Sequence, residues 1–181
     1  MPDLARLRRH LQRGGVIAYA TESCFGLGCD PRNRRAVRNI LRLKGRPQGK
    51  GLILIGSEYR QFRRYLAPVD AVLAARFEDY WPGPYTLLLP TSKRCPKWLT
   101  GRHAKLAVRV TAHAETARLC RLLDMALVST SANRSGRQAL KTAAACRREF
   151  GGAVWVLPGR IGKRRRPSTI IDPSSGGVLR A

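Results

Sequence analysis

The chain has 181 residues, 44% of them hydrophobic, enough for one globular domain with a buried core and too apolar for wholesale disorder. Lys and Arg number 35 against 11 Asp and Glu, and the formal net charge of +24 favours phosphate-bearing partners, RNA among them. Five cysteines without a C-x-x-C pair and three histidines without an i,i+4 pair speak against a disulfide scaffold, a structural zinc site and a zinc hydrolase. No apolar run is long enough to cross a bilayer, and the scattered thiols suit a reducing, cytoplasmic setting.

Leu4, Leu7 and Leu11 share one face of an N-terminal helix that Gly14-Gly15 stops. "VIAYA" (16–20) predicts a short strand, and "TESCFGLGCDP" (21–31) a glycine-rich loop. Asn33 to Leu43 reads as a helix with arginines on its polar side, and "GLILIG" (51–56) as a strand buried on both faces. Tyr59 to Leu66 and Pro68 to Tyr80 read as helical, "WPGP" as a turn, and "YTLLLP" (85–90) as the next strand. In "LAVRVT" (106–111), Leu106, Val108 and Val110 take one face and Arg109 the other. Helices follow at Ala114 to Leu123 and Thr142 to Phe150, with "ALVSTSAN" between them running from strand into polar loop. "AVWVLPG", "STIID" and "GVLR" are the closing strands, and "KRRRPS" is a basic loop. Alternating strands and helices, with no repeat and no linker, predict a single domain over residues 1–181. Its fold class is α/β, a twisted, open, mixed sheet flanked by helices.

Four strand-adjacent loops share one character. "TESCFGLG", "KGRPQGK", "STSANRSG" and "KRRRPSTI" combine hydroxyls, amides, glycines and cations, the groups that recognise phosphate and carboxylate. Each has a plainer reading. Lys44 and Arg46 serve equally as solvated cations at a helix C-terminus, Ser129 to Asn133 as a turn, and Lys163 to Arg166 as a mobile basic run. Arg109 is harder to dismiss, because a charge inside an apolar strand must meet an anion or a carboxylate if its face is the core side. No G-x-x-x-x-G-K-[ST] or G-x-G-x-x-G motif occurs, nor any Ser-His-Asp set or catalytic carboxylate pair. Such an inventory suits a reaction driven by positioning and charge neutralisation, such as nucleotidyl transfer.

Taken in order, "TESCFGLGCDP", "KGRPQGKGLILI", "WPGPYTLLLP", "LAVRVT", "STSANRSG" and "PSTIID" resemble the YrdC-like family, the threonylcarbamoyl-adenylate synthases. The paired signature K-x-R and S-x-N occurs as Lys44-Gly45-Arg46 and Ser131-Ala132-Asn133, and the likeness runs from about Gly15 to Arg180. The resemblance implies the family's open sheet around a large basic concave cavity. It also implies a nucleotidyltransferase making L-threonylcarbamoyl-AMP and pyrophosphate from L-threonine, bicarbonate and ATP, with Mg²⁺ accompanying the ATP and no metal held by the protein itself. The product serves N6-threonylcarbamoyladenosine (t6A) formation in tRNAs reading ANN codons, with other t6A-pathway proteins, the threonylcarbamoyl transferase complex, as partners and tRNA or another structured RNA in reach. Carried over by motif, Lys44 and Arg46 are catalytic. Lys44, Arg46, Lys50, Thr130, Ser131, Asn133 and Arg180 bind ATP, and Thr21, Arg109 and Ser168 bind threonine, Arg109 through its carboxylate. Glu22, Asp30 and Asp172 are assigned structural roles.

The chain departs from the family pattern at Ala20, where a proline is usual before Thr21, and it stops at Ala181 without the further C-terminal domain of longer relatives. The competing expectation is a basic RNA-binding protein without catalysis, which the charge alone would also produce.

Overall fold

A computed structural model describes residues 3–180. Nine strands form one mixed sheet: β1 (Ile17–Ala20), β2 (Phe25–Gly28), β3 (Ile53–Gly56), β4 (Tyr85–Pro90), β5 (Lys105–Val110), β6 (Leu127–Ser131), β7 (Trp155–Val156), β8 (Thr169–Asp172) and β9 (Gly177–Arg180). Their order across the sheet is β7-β1-β2-β6-β3-β5-β4-β8-β9. The pairs β1·β7, β3·β5 and β4·β8 are parallel and the rest antiparallel. The helices are α1 (Leu4–Gln12), α2 (Arg34–Lys44), α3 (Ala71–Ala75), α4 (Lys97–Thr100), α5 (Ala114–Leu123) and α6 (Ala143–Phe150).

Local chemistry sets the main helix ends. Asp3 caps α1, its carboxylate accepting from the backbone N–H groups of Ala5 and Arg6, and Asn33 and Thr142 cap α2 and α6 in the same way. Gly45 ends α2 in the left-handed region at φ 59°, where a side chain is strained, and the chain leaves toward Arg46.

Two apolar layers result. On one face Ala18, Leu27, Leu54 and Val108 pack beneath α2 and α6 through Val37, Ile40 and Cys146. On the other, Ile17, Tyr19, Ile55 and Leu127 meet α1 and α5 through Leu7, Leu11, Leu119 and Leu123. Fully burying a Leu or Ile contributes about 1.5–3 kcal/mol, so both layers are substantial. The second face is covered over only part of its length. Leu127 of β6 packs against α5, whereas Ser129 and Ser131, two and four residues on, line open space.

Four expectations need correction. The loop expected over 21–31 contains β2, which pairs with β1 on one side and β6 on the other. Its glycines hid it: a Cβ on Gly28 would lie 2.6 Å from the Tyr19 ring and 2.8 Å from the Val128 carbonyl oxygen, so the close approach requires glycine. The helix expected over Pro68–Tyr80 shrinks to Ala71–Ala75, followed by turns, because Phe77 and Trp81 leave helical register to stack with each other and with Tyr59 and Phe62. Tyr59–Leu66 holds one 3₁₀ turn, Tyr59–Phe62, and the Gln61 side chain accepts from the Ser57 N–H at its start. In "GLILIG", Ile53 is only half-buried, since it faces the open space rather than core.

Candidate active site

The uncovered end of the second sheet face is a cavity of about 580 Å³. Ile53 and Ile55 of β3, Arg109 of β5 and Ser129 to Ser131 of β6 form its floor. Thr21 and Cys24 of the β1–β2 turn close one side, and Ser168 with Arg180 of β9 close the other. Ligand sites in such sheets lie where strands run out into loops, and this one obeys that rule.

The two halves of the K-x-R and S-x-N pair meet here. Lys44, at the last turn of α2, is 4% exposed, and its Nζ donates to the Ser131 carbonyl oxygen at 2.5 Å and to the Asn133 carbonyl oxygen at 2.9 Å. It also donates to Asn133 Oδ1 at 3.0 Å, an atom that accepts from the Ser131 hydroxyl at 2.6 Å as well. The Asn133 Nδ2 group then donates to the carbonyl oxygens of Arg134 and Arg137. The lysine therefore clasps the loop after β6. None of its partners is a carboxylate, and burial, with Arg46 adding to it, pushes its pKa down to about 8.

Arg46 sits one left-handed glycine beyond Lys44 and lines the cavity. One of its Nη atoms donates to the carbonyl oxygens of Lys50 and Gly51, at 3.2 and 3.0 Å, while its Nε is buried without a partner. Across the cavity Arg180 donates from Nε and Nη2 to the Ser168 carbonyl oxygen at 3.1 and 2.7 Å, and from Nη2 to the Ser168 hydroxyl at 3.1 Å. That hydroxyl is held at 2.8 Å from the buried Thr86 Oγ1. Partial burial, then Arg109, then Arg46 hold the Arg180 pKa below its ordinary value. Arg46 and Arg180 have no carboxylate partner among the described residues, so the cavity offers uncompensated positive charge.

Arg109 is buried and ion-paired with Glu22, and its Nε donates to the Gly83 carbonyl oxygen of the "WPGP" turn at 3.2 Å. Glu22 also accepts from the Thr111 hydroxyl at 2.7 Å. Burial alone would raise the Glu22 pKa, but Arg109 and Thr111 hold it below the ordinary carboxylate range. The sequence demanded an anion for Arg109, and the structure supplies it from within the chain.

Arg46, Arg109, Thr130, Ser131, Asn133, Arg180, Thr21 and Ser168 thus all line the one cavity. Two predicted residues stand apart. Lys44 reaches the site only through the Ser131–Asn133 loop, and exposed Lys50 lines an adjoining hollow of about 230 Å³, which Arg46 and Arg180 also border. The three cations of "KGRPQGK" therefore do not converge on one point. Thr21 turns its hydroxyl back to the Cys24 carbonyl oxygen at 2.8 Å. Arg137, Lys141 and Arg165 line the cavity without having been singled out, although Arg137 follows "STSANRSG" directly, Lys141 lies four residues further on and Arg165 lies in "KRRR". Glu22, Asp30 and Asp172 pair with Arg109, Arg32 and Lys105 respectively. Among the described residues no three His, Cys, Asp or Glu side chains come together to hold a metal ion.

The Sua5/YciO/YrdC family model, described as "Telomere recombination", matches residues 9–181. The chain belongs to the Sua5/YciO/YrdC family. It is 61% identical over 175 residues to a protein of Chromobacterium violaceum named threonylcarbamoyl-AMP synthase, covering 97% of this chain and 91% of that one. A protein of the same name from Thiobacillus denitrificans is 57% identical over 175 residues, covering 97% and 93%. Among solved structures, P. abyssi Sua5 complexed with L-threonine superimposes with a TM-score of 0.85 at 29% identity, over 93% of this chain. The match spans 50% of the longer P. abyssi protein. The fold class is therefore that of the family, a mixed α/β sheet flanked by helices.

Proposed function

We propose that this chain is a nucleotidyltransferase that makes L-threonylcarbamoyl-AMP and pyrophosphate from L-threonine, bicarbonate and ATP, in the cytoplasm, for t6A modification of tRNA. The observation that carries this reading is the meeting of Lys44 with Ser131 and Asn133 beside uncompensated Arg46 and Arg180, which makes an anion site at the open end of the sheet. The names of the relatives that are 61% and 57% identical across 97% of the chain support it.

In this reading Arg46 and Arg180 take the triphosphate, with Lys50 at its outer end in the adjoining hollow. Thr130, Ser131 and Asn133 hold the nucleotide, with Lys44 fixing their loop. Thr21, Arg109 and Ser168 take threonine, Glu22 keeping the Arg109 guanidinium in place. Mg²⁺ enters with the phosphates of ATP as part of the substrate. Glu22 is ion-paired with Arg109 of the cavity floor and accepts from the Thr111 hydroxyl.

The threonine amine attacks bicarbonate-derived CO₂ to give a carbamate. A carbamate oxygen then attacks the α-phosphorus, and the bond to the leaving pyrophosphate breaks. Arg46 is placed to meet the charge growing on that leaving group, which is where fixed cations lower the barrier. Transfer of the threonylcarbamoyl group to tRNA is left to other proteins of the t6A pathway. No helix of the described residues is long and apolar enough to cross a membrane, and all five thiols are unpaired, as a reducing compartment allows.

The test is L-threonine-dependent release of pyrophosphate from ATP, bicarbonate and Mg²⁺ by the purified chain. Arg46→Ala is expected to abolish it. No extra pyrophosphate on adding L-threonine would sink the reading and leave the non-catalytic RNA-binding alternative standing.

A further inference from the structure

Away from the cavity, exposed arginines gather over the β7 edge of the sheet. The half-buried Trp155 of that strand borders a groove of about 580 Å³ between α1 and α2. Arg6, Arg9 and Arg13 border it from the first helix and Arg35 from the second. The α2 surface continues through Arg35 and Asn39 to Arg38 and Arg42. Both helices use the same spacing, i, i+3 and i+7, so each carries a row of guanidinium groups along one face, about 10 Å long at 1.5 Å per residue. In α1 this row falls two residues, about 200°, from Leu4, Leu7 and Leu11, opposite the face packed against α5.

All six arginines are exposed, and among the described residues none forms an ion pair with a carboxylate. The nearest acid in sequence, Asp3, is turned to its own helix cap. Arg6 lies over the Trp155 ring at 5.3 Å, and His10 meets that ring edge-on at 5.3 Å. The groove shares no residue with the cavity.

Unneutralised guanidinium groups gathered at one groove from two helices oppose folding by mutual repulsion, and a polyanion laid over them removes that cost. Guanidinium groups match phosphate oxygens, and each row is long enough to meet more than one phosphate of a nucleic-acid strand. A protein partner would need an apolar centre to its interface, and Trp155 is the one large apolar side chain bordering this groove. We propose that the α1–α2 groove over the β7 edge is a docking surface for the phosphate backbone of a folded RNA, separate from the cavity where the proposed reaction takes place.

The test is binding of a fluorescently labelled RNA hairpin to the full chain, followed by anisotropy from 50 to 300 mM salt without ATP or threonine. Three proteins are compared: the unaltered chain, a groove variant (Arg6→Gln, Arg9→Gln, Arg35→Gln, Arg38→Gln), and a control that removes four exposed cations elsewhere (Arg63→Gln, Arg64→Gln, Lys93→Gln, Arg94→Gln). The groove variant is expected to lose at least tenfold in affinity near 150 mM salt, with a log–log salt slope shallower by roughly 3. The control is expected to lose less than threefold, and the groove variant to keep its L-threonine-dependent pyrophosphate release. Equal losses in both variants would overturn the proposal, because the overall field would then account for binding. So would an unchanged groove variant, absence of hairpin binding by the unaltered chain, or competition by poly-L-glutamate as strong as that by unlabelled hairpin. If the fourfold variant fails to fold, Arg35→Gln with Arg38→Gln on the exposed face of α2 carries the same test, with a slope change of roughly half.

Discussion

Lys44 and Arg109 are both buried cations, one behind the loop that borders the cavity and one in its floor, and they are neutralised in opposite ways. Arg109 is met by a full carboxylate, Glu22, itself braced by Thr111. Lys44 is met only by neutral oxygens, those of Ser131 and Asn133. The carboxylate fixes the orientation of the guanidinium and cancels most of its charge, so Arg109 lines the cavity while adding little to its field. A lysine held by carbonyl and amide oxygens stays electrostatically unfinished, and so does Arg46 beside it. The region around Arg109 therefore fixes shape, whereas the Lys44–Arg46 region stores the field that an anionic substrate relieves.

Removing the unfinished charge should have the largest effect. Lys44→Met is expected to lower kcat/KM for ATP by at least 100-fold, about 2.7 kcal/mol of transition-state stabilisation, because it frees the Ser131–Asn133 loop. The same lysine sets an alkaline limb. In the free enzyme kcat/KM for ATP should fall as pH rises through about 8, where burial makes this ammonium lose its proton. Stability runs the other way. A folded pKa below the unfolded one means the folded state sheds the proton first, so Lys44 makes the chain more stable as pH rises from about 8 toward 10.5. A pH–rate profile of Lys44→Met that kept the limb at about 8 would break the assignment.

Next comes the closed pair. Glu22→Gln leaves Arg109 buried without its counter-charge and is expected to cost about 3 kcal/mol in a denaturant titration. Adding Arg109→Met to it should recover part of that loss, the signature of a coupled pair. The sign with pH is opposite to that of Lys44. Glu22 is depressed in the folded state, so its contribution is whole above the ordinary carboxylate value near 4.5 and is lost as pH falls through the lower folded value. A double-variant loss equal to the sum of the separate Glu22→Gln and Arg109→Met losses would show that the two side chains do not act as a unit.

How much of this was legible in the sequence follows from the range of each interaction. Apolar runs and helical spacing act locally, so α1, α2, α5, α6 and most strands could be read directly. Strand β2 could not, because its glycines are selected by Tyr19 and Val128 on neighbouring strands, a contact no local pattern announces. The short helix within 68–80 failed for a similar reason, its aromatic residues being claimed by partners on the preceding segment. That Arg109 needed an anion was readable from its place in an apolar strand. That Glu22 supplies it was not, since the two meet only when the β1–β2 turn is brought against β5. The K-x-R and S-x-N motifs marked the site, yet the clasp of Lys44 on Ser131 joins atoms 87 residues apart in the chain.

The smallest effect gives the scale for the others. Lys105 reaches Asp172 with contacts of 2.7 and 2.6 Å, joining β5 to β8 across β4. Both contacts are short, but the two side chains remain 32% and 19% exposed. Water and salt reach this pair, so Asp172→Asn should cost less than about 1 kcal/mol, and the cost should shrink further at high salt. The Glu22→Gln loss should be nearly indifferent to salt, because no counter-ion layer screens a guanidinium inside the sheet. The two variants measured at 50 mM and 1 M NaCl therefore separate burial from contact distance as the source of strength. A Glu22→Gln loss that salt erased as readily as the Asp172→Asn loss would mean that Arg109 is solvated in solution, and the division into a closed pair and an open field would collapse.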